Sequence, residues 1–166
     1  MTWRGTTTAQ ERFFGALPYL LPLIEVCILA FVFAMRGIGL FAEIPATQLI
    51  LVPLMPLIRL YTSFPFAGLI VFIALLALVV RNTNISHFIR FNTMQAILLD
   101  IVLILGQIIL NMVLVPILGT NFIIETVLNV VVLGIFLAIG YCVVQTVRGQ
   151  YAEIPTLSEA VYMQVR

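Results

Sequence analysis

Lysine is absent from this chain, and ionisable side chains of any kind are scarce: eight arginines, seven carboxylates and a single histidine in 166 residues. Without lysine there is no amine nucleophile for Schiff-base chemistry. The arginines stand singly and the formal net charge is only +1, so no basic patch exists for nucleic acid to recognise. His87 lies between two apolar stretches with no second ligand-type residue beside it, which excludes a histidine-built metal site. The two cysteines, Cys27 and Cys142, sit far apart inside apolar runs and read as small buried hydrophobes rather than as a disulfide or a metal site. Serine–histidine pairs of the intramembrane protease kind, an intramembrane aspartate dyad, HExxH and CxxC are all missing. No enzyme chemistry and no cofactor are therefore expected. Ligation of a pigment magnesium by His87 is weighed against a wetted surface histidine and set aside, and pigment or lipid contact is left open.

What fills the chain instead is hydrocarbon. Hydrophobic residues make up 63% of it and charged ones 9%, with a mean hydropathy of +1.19. Such a chain cannot cover itself with polar surface. A helix needs roughly 20 apolar residues to cross a bilayer core. Four stretches meet that length: 16–35, 64–80, 94–118 and 122–144. None shows a charged face at helical spacing, so buried helices of a soluble fold are excluded. The first run is too long for a signal peptide, carries Glu25, Pro18 and Pro22, lacks a small-residue cleavage site, and is read as retained. Between the first two runs, Pro45, Pro53 and Pro56 interrupt an apolar segment, and an unbroken span there would leave backbone groups unsatisfied in lipid. The expected fold is an all-α integral membrane protein, a bundle of four transmembrane helices with an interfacial or re-entrant segment between helices 1 and 2. Its divisions are a tail over 1–15, a membrane domain over 16–147 and a tail over 148–166.

Arginine counting sets an expected orientation. Arg4, Arg12, Arg81, Arg90, Arg148 and Arg166 fall on one side of a four-span chain and Arg36 and Arg59 on the other, which puts both termini on the cytoplasmic or stromal side. The stretch from Ser86 into the third span runs without glycine or proline, so its first turns should project into the interface. There Phe88 and Phe91 would lie among headgroups while His87 and Arg90 reach water or lipid phosphate.

Polar residues inside the spans are costly and mark places that face other helices or water. Glu25 lies near mid-depth of the first run. Thr93, Asp100, Gln107 and Asn111 fall within about 40° of one another on the third helix, and Glu125 and Asn129 are one turn apart on the fourth. The second helix offers only small residues. Glu25, Asp100, Gln107, Asn111, Glu125 and Asn129 are therefore the candidate polar seam, shared by helices 1, 3 and 4. It acts either as hydrogen-bonded glue between helices or as a groove that admits water and a polar passenger. Asp100 is expected to have a partner on another helix, so that Asp100→Leu would lower stability. Pro18 and Pro22 share a face of the first helix with Glu25 and are the candidate kink sites.

Three blocks carry a resemblance: Glu11-Arg12-Phe13-Phe14-Gly15-Ala16-Leu17-Pro18-Tyr19-Leu20-Leu21-Pro22-Leu23, then Pro53-Leu54-Met55-Pro56-Leu57, then Ser86-His87-Phe88-Ile89-Arg90-Phe91-Asn92-Thr93-Met94-Gln95-Ala96-Ile97-Leu98-Leu99-Asp100. Together they resemble the Tic-twenty family, the twenty-kilodalton membrane subunit of the translocon at the inner chloroplast envelope, which has cyanobacterial homologues. The resemblance implies four helices with both termini stromal. It also implies a multi-pass location in a plastid inner envelope or a cyanobacterial plasma or thylakoid membrane, and a role in protein transport that contacts or conducts precursor proteins beside other membrane subunits. The lack of a Ser- and Arg-rich transit extension suits the cyanobacterial or plastid-encoded type. The alternative is a non-catalytic structural or assembly subunit of a larger, photosynthetic membrane complex.

Overall fold

Thr8 starts the first helix through a capping box: its hydroxyl accepts from the Glu11 amide at 3.2 Å, while the Glu11 carboxylate accepts from the Thr8 amide at 2.8 Å. In the computed structural model, which describes residues 7–155 and 157–165, this helix (α1) runs Ala9–Ala34 and so begins before the apolar run itself. Arg4 and Arg166, two of the arginines in the orientation count, lie outside the described residues. The departure from α geometry falls at Pro18, as a single 3-10 turn over Leu17–Tyr19. Pro22 lies inside the regular stretch Leu20–Ala34.

After α1 the chain reverses through Gly37 and Gly39, both at positive φ. It then forms a one-turn helix, α2 (Leu40–Glu43), a 3-10 stretch over Pro45–Leu54 that its prolines keep from becoming α-helical, and α3 (Met55–Ser63). Phe64-Pro65-Phe66 forms the corner, with Phe66 in the left-handed region at φ 62°, a strained place for a bulky side chain. Beyond it α4 (Ala67–Val80) leaves at 97° to the preceding segment and ends in the wider π geometry over Leu75–Val80. The interrupted segment expected between the first two spans and the expected second span thus meet as one bent pair, Ala46–Ser63 and Ala67–Val80.

The remaining helices are longer. They are α5 (His87–Leu118), with a π stretch at Ile109–Leu114, and α6 (Phe122–Val147), capped by the Asn121 side chain accepting from the Ile123 and Ile124 amides at 3.1 Å. A short α7 (Leu157–Gln164) follows. Among the described residues three helices, α1, α5 and α6, are long and apolar enough to cross a membrane, and a fourth crossing results if the bent pair counts as one. No strand occurs among the described residues. The protein is an all-α membrane bundle.

Its core forms around α1, where Val26, Cys27 and Phe33 pack with Leu103 of α5 and with Leu128 and Cys142 of α6, all fully buried. α5 also packs against α4 through the latter's C-terminal half and against α7 through its own first turns. The outward faces are apolar: Ile70, Leu78, Met112 and Leu137 are all more than 60% exposed, as befits side chains whose solvent is lipid.

Candidate functional site

The polar residues of the spans fall into separate places rather than one seam. The first is a crevice of about 280 Å³ between α1, α4 and α5 whose walls carry both Glu25 and Asp100. Tyr61, on α3, donates its hydroxyl to Glu25. Asp100 is only 2% exposed, and its Oδ1 has no hydrogen-bond partner. The second helix of the bundle, which hydropathy alone left without a polar role, closes this crevice with Gly68, Leu69 and Phe72. Gly68 is needed by space: a Cβ there would press on the Tyr61 hydroxyl and lie 3.0 Å from Glu25 Oε1. On the other side of Tyr61 a larger apolar cleft of about 410 Å³ opens between α1, α4 and the start of α5, lined among others by Leu21, Val71, Leu75 and Ile89.

Glu125 and Asn129 lie elsewhere and face the turn after α1. The Gly39 amide donates to Glu125 Oε1 at 3.0 Å and the Leu40 amide to Asn129 Oδ1 at 2.8 Å. These side chains cap α2 and pin it to α6. Gly39 is required there, since its φ is +88° and a Cβ would meet Leu128 Cδ2 at 2.9 Å. Asn111 turns back on its own helix and donates to the Gln107 carbonyl at 3.0 Å, while Gln107 Nε2 is buried without a partner.

A further polar knot was missed from the sequence because its members are short and dispersed. Asn92 Oδ1 accepts from Tyr19 at 3.1 Å and from Thr146 at 2.7 Å, and Asn92 Nδ2 donates to the Phe88 carbonyl at 2.8 Å. All three side chains are buried, and the knot ties α1, α5 and α6 together on one asparagine. Its sequence signal is weak, because Asn92 stands among other polar residues, Arg90, Thr93 and Gln95, at the approach to a span.

Of the two interfacial candidates, His87 is exposed as expected, while Arg90 is buried. Phe88 and Phe91 are 3% and 0% exposed, covered by the C-terminal segment. The Tyr151 ring stands edge-on to both, at 5.3 and 4.9 Å, and Tyr162 lies 4.9 Å from Phe91. His87 Nδ1 is 3.1 Å from the Tyr151 hydroxyl, and Arg90 is buried with Nε donating to the Val80 carbonyl at 2.8 Å. The guanidinium thereby closes the π end of α4 onto α5. Among the described residues no three of His, Cys, Asp and Glu converge as metal ligands would.

Residues 9–161 match the family described as "Chloroplast import apparatus Tic20-like". The chain belongs to this Tic20 family. It is 47% identical to a Tic20 family protein of Synechocystis sp. over 166 residues, covering 100% of this chain and 99% of that one. It is also 33% identical to the protein TIC 20-II, chloroplastic, of Arabidopsis thaliana over 162 residues, 96% of this chain and 74% of the relative. A Tic20 family protein Ycf60 of Porphyra purpurea is 30% identical over 171 residues, 99% and 80% of the two chains. Relatives thus come from a cyanobacterium and from plastid-bearing organisms, and the family carries the name of an import apparatus rather than of an enzyme. Together with the apolar helices, this makes the chain a multi-pass membrane member of the Tic20 family.

Proposed function

We propose that this Tic20-family chain is a membrane subunit of a protein translocon, contacting precursor polypeptides in a plastid inner envelope or a cyanobacterial membrane. The observation that carries the reading is the Glu25–Asp100 crevice, where Asp100 Oδ1 has no partner within the bundle and Glu25, held by Tyr61, lines the same gap between helices. An extended chain cannot cross dry hydrocarbon without unsatisfied backbone groups costing several kcal/mol each, so a crevice that holds two carboxyl side chains between apolar helices suits a surface that meets one. At about 280 Å³ it is no pore for a polypeptide, so the path would be completed by further copies or other membrane subunits. A second reading, a packing subunit of a larger membrane complex, draws on Glu125 and Asn129, which hold the α2 turn rather than lining a path.

Photo-crosslinking residues at Leu69 and Leu105, on the rim of the crevice, should capture a precursor while it crosses. The same probe at Ile73 or Leu78, both outward-facing, should capture lipid or partner subunits. Phe72 lines the crevice and so does not serve as a lipid-facing control. No capture at the rim within the native complex would leave the packing reading in its place. The same proposal has four spans with both ends of the chain on the stromal or cytoplasmic side. Single cysteines at Gln10 and Met163, in a chain lacking Cys27 and Cys142, should be labelled by impermeant reagents from that side alone. Labelling of either from the opposite face would overturn the orientation.

A further inference from the structure

We propose that the crevice between α1, α4 and α5 binds one cationic side chain, a guanidinium or an ammonium, carried by a polypeptide segment lying along the bundle; as to its source, this rests on the translocon reading. Asp100 supplies the strongest observation. It is 2% exposed, lines the crevice, and its Oδ1 has no hydrogen-bond partner. Glu25 faces the same space and keeps one oxygen on the Tyr61 hydroxyl. The chain has no lysine, and no arginine is among the residues that line the crevice. Two ionised carboxylates so placed repel each other; a proton on one of them or a positive charge between them relieves this, and a bound cation would favour the doubly ionised state.

The donor set argues against a bare inorganic ion. Calcium takes six to eight oxygens and magnesium a near-octahedral shell, whereas this crevice offers the oxygens of two carboxyls and one phenol. A guanidinium is weakly hydrated and matches carboxylates in a planar fork, and a lysine or arginine stem is apolar. The crevice provides for both ends of such a side chain. Its rim is hydrocarbon, with Leu69 and Leu105 56% and 54% exposed, and its floor is acidic. Gly68 keeps the two connected, because a Cβ at that point would stand 3.0 Å from Glu25 Oε1.

The test uses the whole protein in lipid nanodiscs with a photo-crosslinking residue at Leu105, and three apolar membrane-spanning peptides that carry one central arginine, lysine or glutamine. Capture of the arginine and lysine peptides should exceed that of the glutamine peptide about tenfold. Asp100→Asn and Gly68→Ala should each erase the difference, and a crosslinker at Ile73 should show none. Thermal unfolding of each variant separates loss of the site from loss of the fold, and Tyr61→Phe, which only frees Glu25, should retain the preference. Equal capture of the three peptides, or an unchanged preference in Asp100→Asn, overturns the proposal. So does competition by potassium chloride that choline chloride at equal ionic strength does not reproduce, since the ligand would then be the inorganic ion. Capture of a crossing precursor with no preference for basic residues overturns this inference and leaves the translocon reading standing. Preference for the basic peptides with no precursor capture supports the site and removes the translocon reading.

Discussion

Asp100→Leu is expected to raise the thermal stability of the detergent-solubilised protein, not to lower it. The sequence, which places Asp100 on a polar stripe with Thr93, Gln107 and Asn111, suggests a cross-helix hydrogen bond whose loss would destabilise the bundle. In the structure Asp100 is buried at 2% exposure, its Oδ1 takes no hydrogen bond, and its nearest acidic neighbour across the crevice is Glu25. A buried polar atom left unpaired costs about 1–3 kcal/mol, so removing it should return a gain of that order. Asp100→Asn should lie between wild type and the leucine variant, since the amide is no better partnered but carries no charge. The check is the unfolding midpoint of the three proteins in one detergent, read alongside crosslinking at the crevice. A more stable Asp100→Leu that has lost its crosslinks would mean that the aspartate is kept for function at the expense of stability. A midpoint below that of wild type would instead show that the carboxylate is bonded in the folded protein.

The opposite sign is expected at Asn92. Asn92→Leu should be the most damaging single polar substitution in the bundle, because this 0%-exposed side chain is the shared acceptor for Tyr19 and Thr146 and the donor to the Phe88 carbonyl. Thr146 has a second acceptor in the Cys142 carbonyl at 2.7 Å. Besides Asn92, Tyr19 meets only the Cys142 thiol and the Thr146 hydroxyl, so its buried hydroxyl would lose its one strong acceptor at about 1–3 kcal/mol, with the lost packing of α1 on α5 added. The cost should fall clearly in a Tyr19→Phe background, where no hydroxyl remains to be orphaned. A double-mutant cycle on thermal or denaturant unfolding measures that coupling. Strict additivity of the two substitutions would mean that Asn92 acts through its own helix alone.

The contrast between these two residues shows what hydropathy and helical wheels convey. The all-α membrane class is readable because each run of apolar residues states its own environment, and three of the four apolar runs fall on long helices while the run at 64–80 forms half of a bent pair. A wheel fixes angles around one axis but says nothing about which neighbour arrives there. Asp100 and Asn92 are both polar residues on α5, yet one meets α1 and α6 through hydrogen bonds and the other meets a crevice. The stripe itself also loses its phase. The π stretch at Ile109–Leu114 widens the helix, so Asn111 no longer follows the 100° step that aligned it with Asp100, and it bonds to the Gln107 carbonyl instead. The Glu25–Tyr61 contact was hidden for another reason. It spans 36 positions across a proline-rich segment, and nothing local in that segment announces where it will pack. The cover on Phe88 and Phe91 comes from Tyr151 and Tyr162, in a stretch polar enough to pass for a solvated tail.

The abrupt corner at Phe64-Pro65-Phe66 bears on the lipid as much as on the protein. Because the chain turns through 97° there, only Ala67–Val80 is left to traverse the hydrocarbon at this position, and at 1.5 Å per residue it reaches roughly 20 Å against a core of about 30 Å. If α4 makes this crossing by itself, lipids beside it must shorten to meet it, which would draw the leaflets together on the flank next to the acidic crevice. A polypeptide arriving there would have fewer backbone groups to carry through hydrocarbon than anywhere else around the bundle.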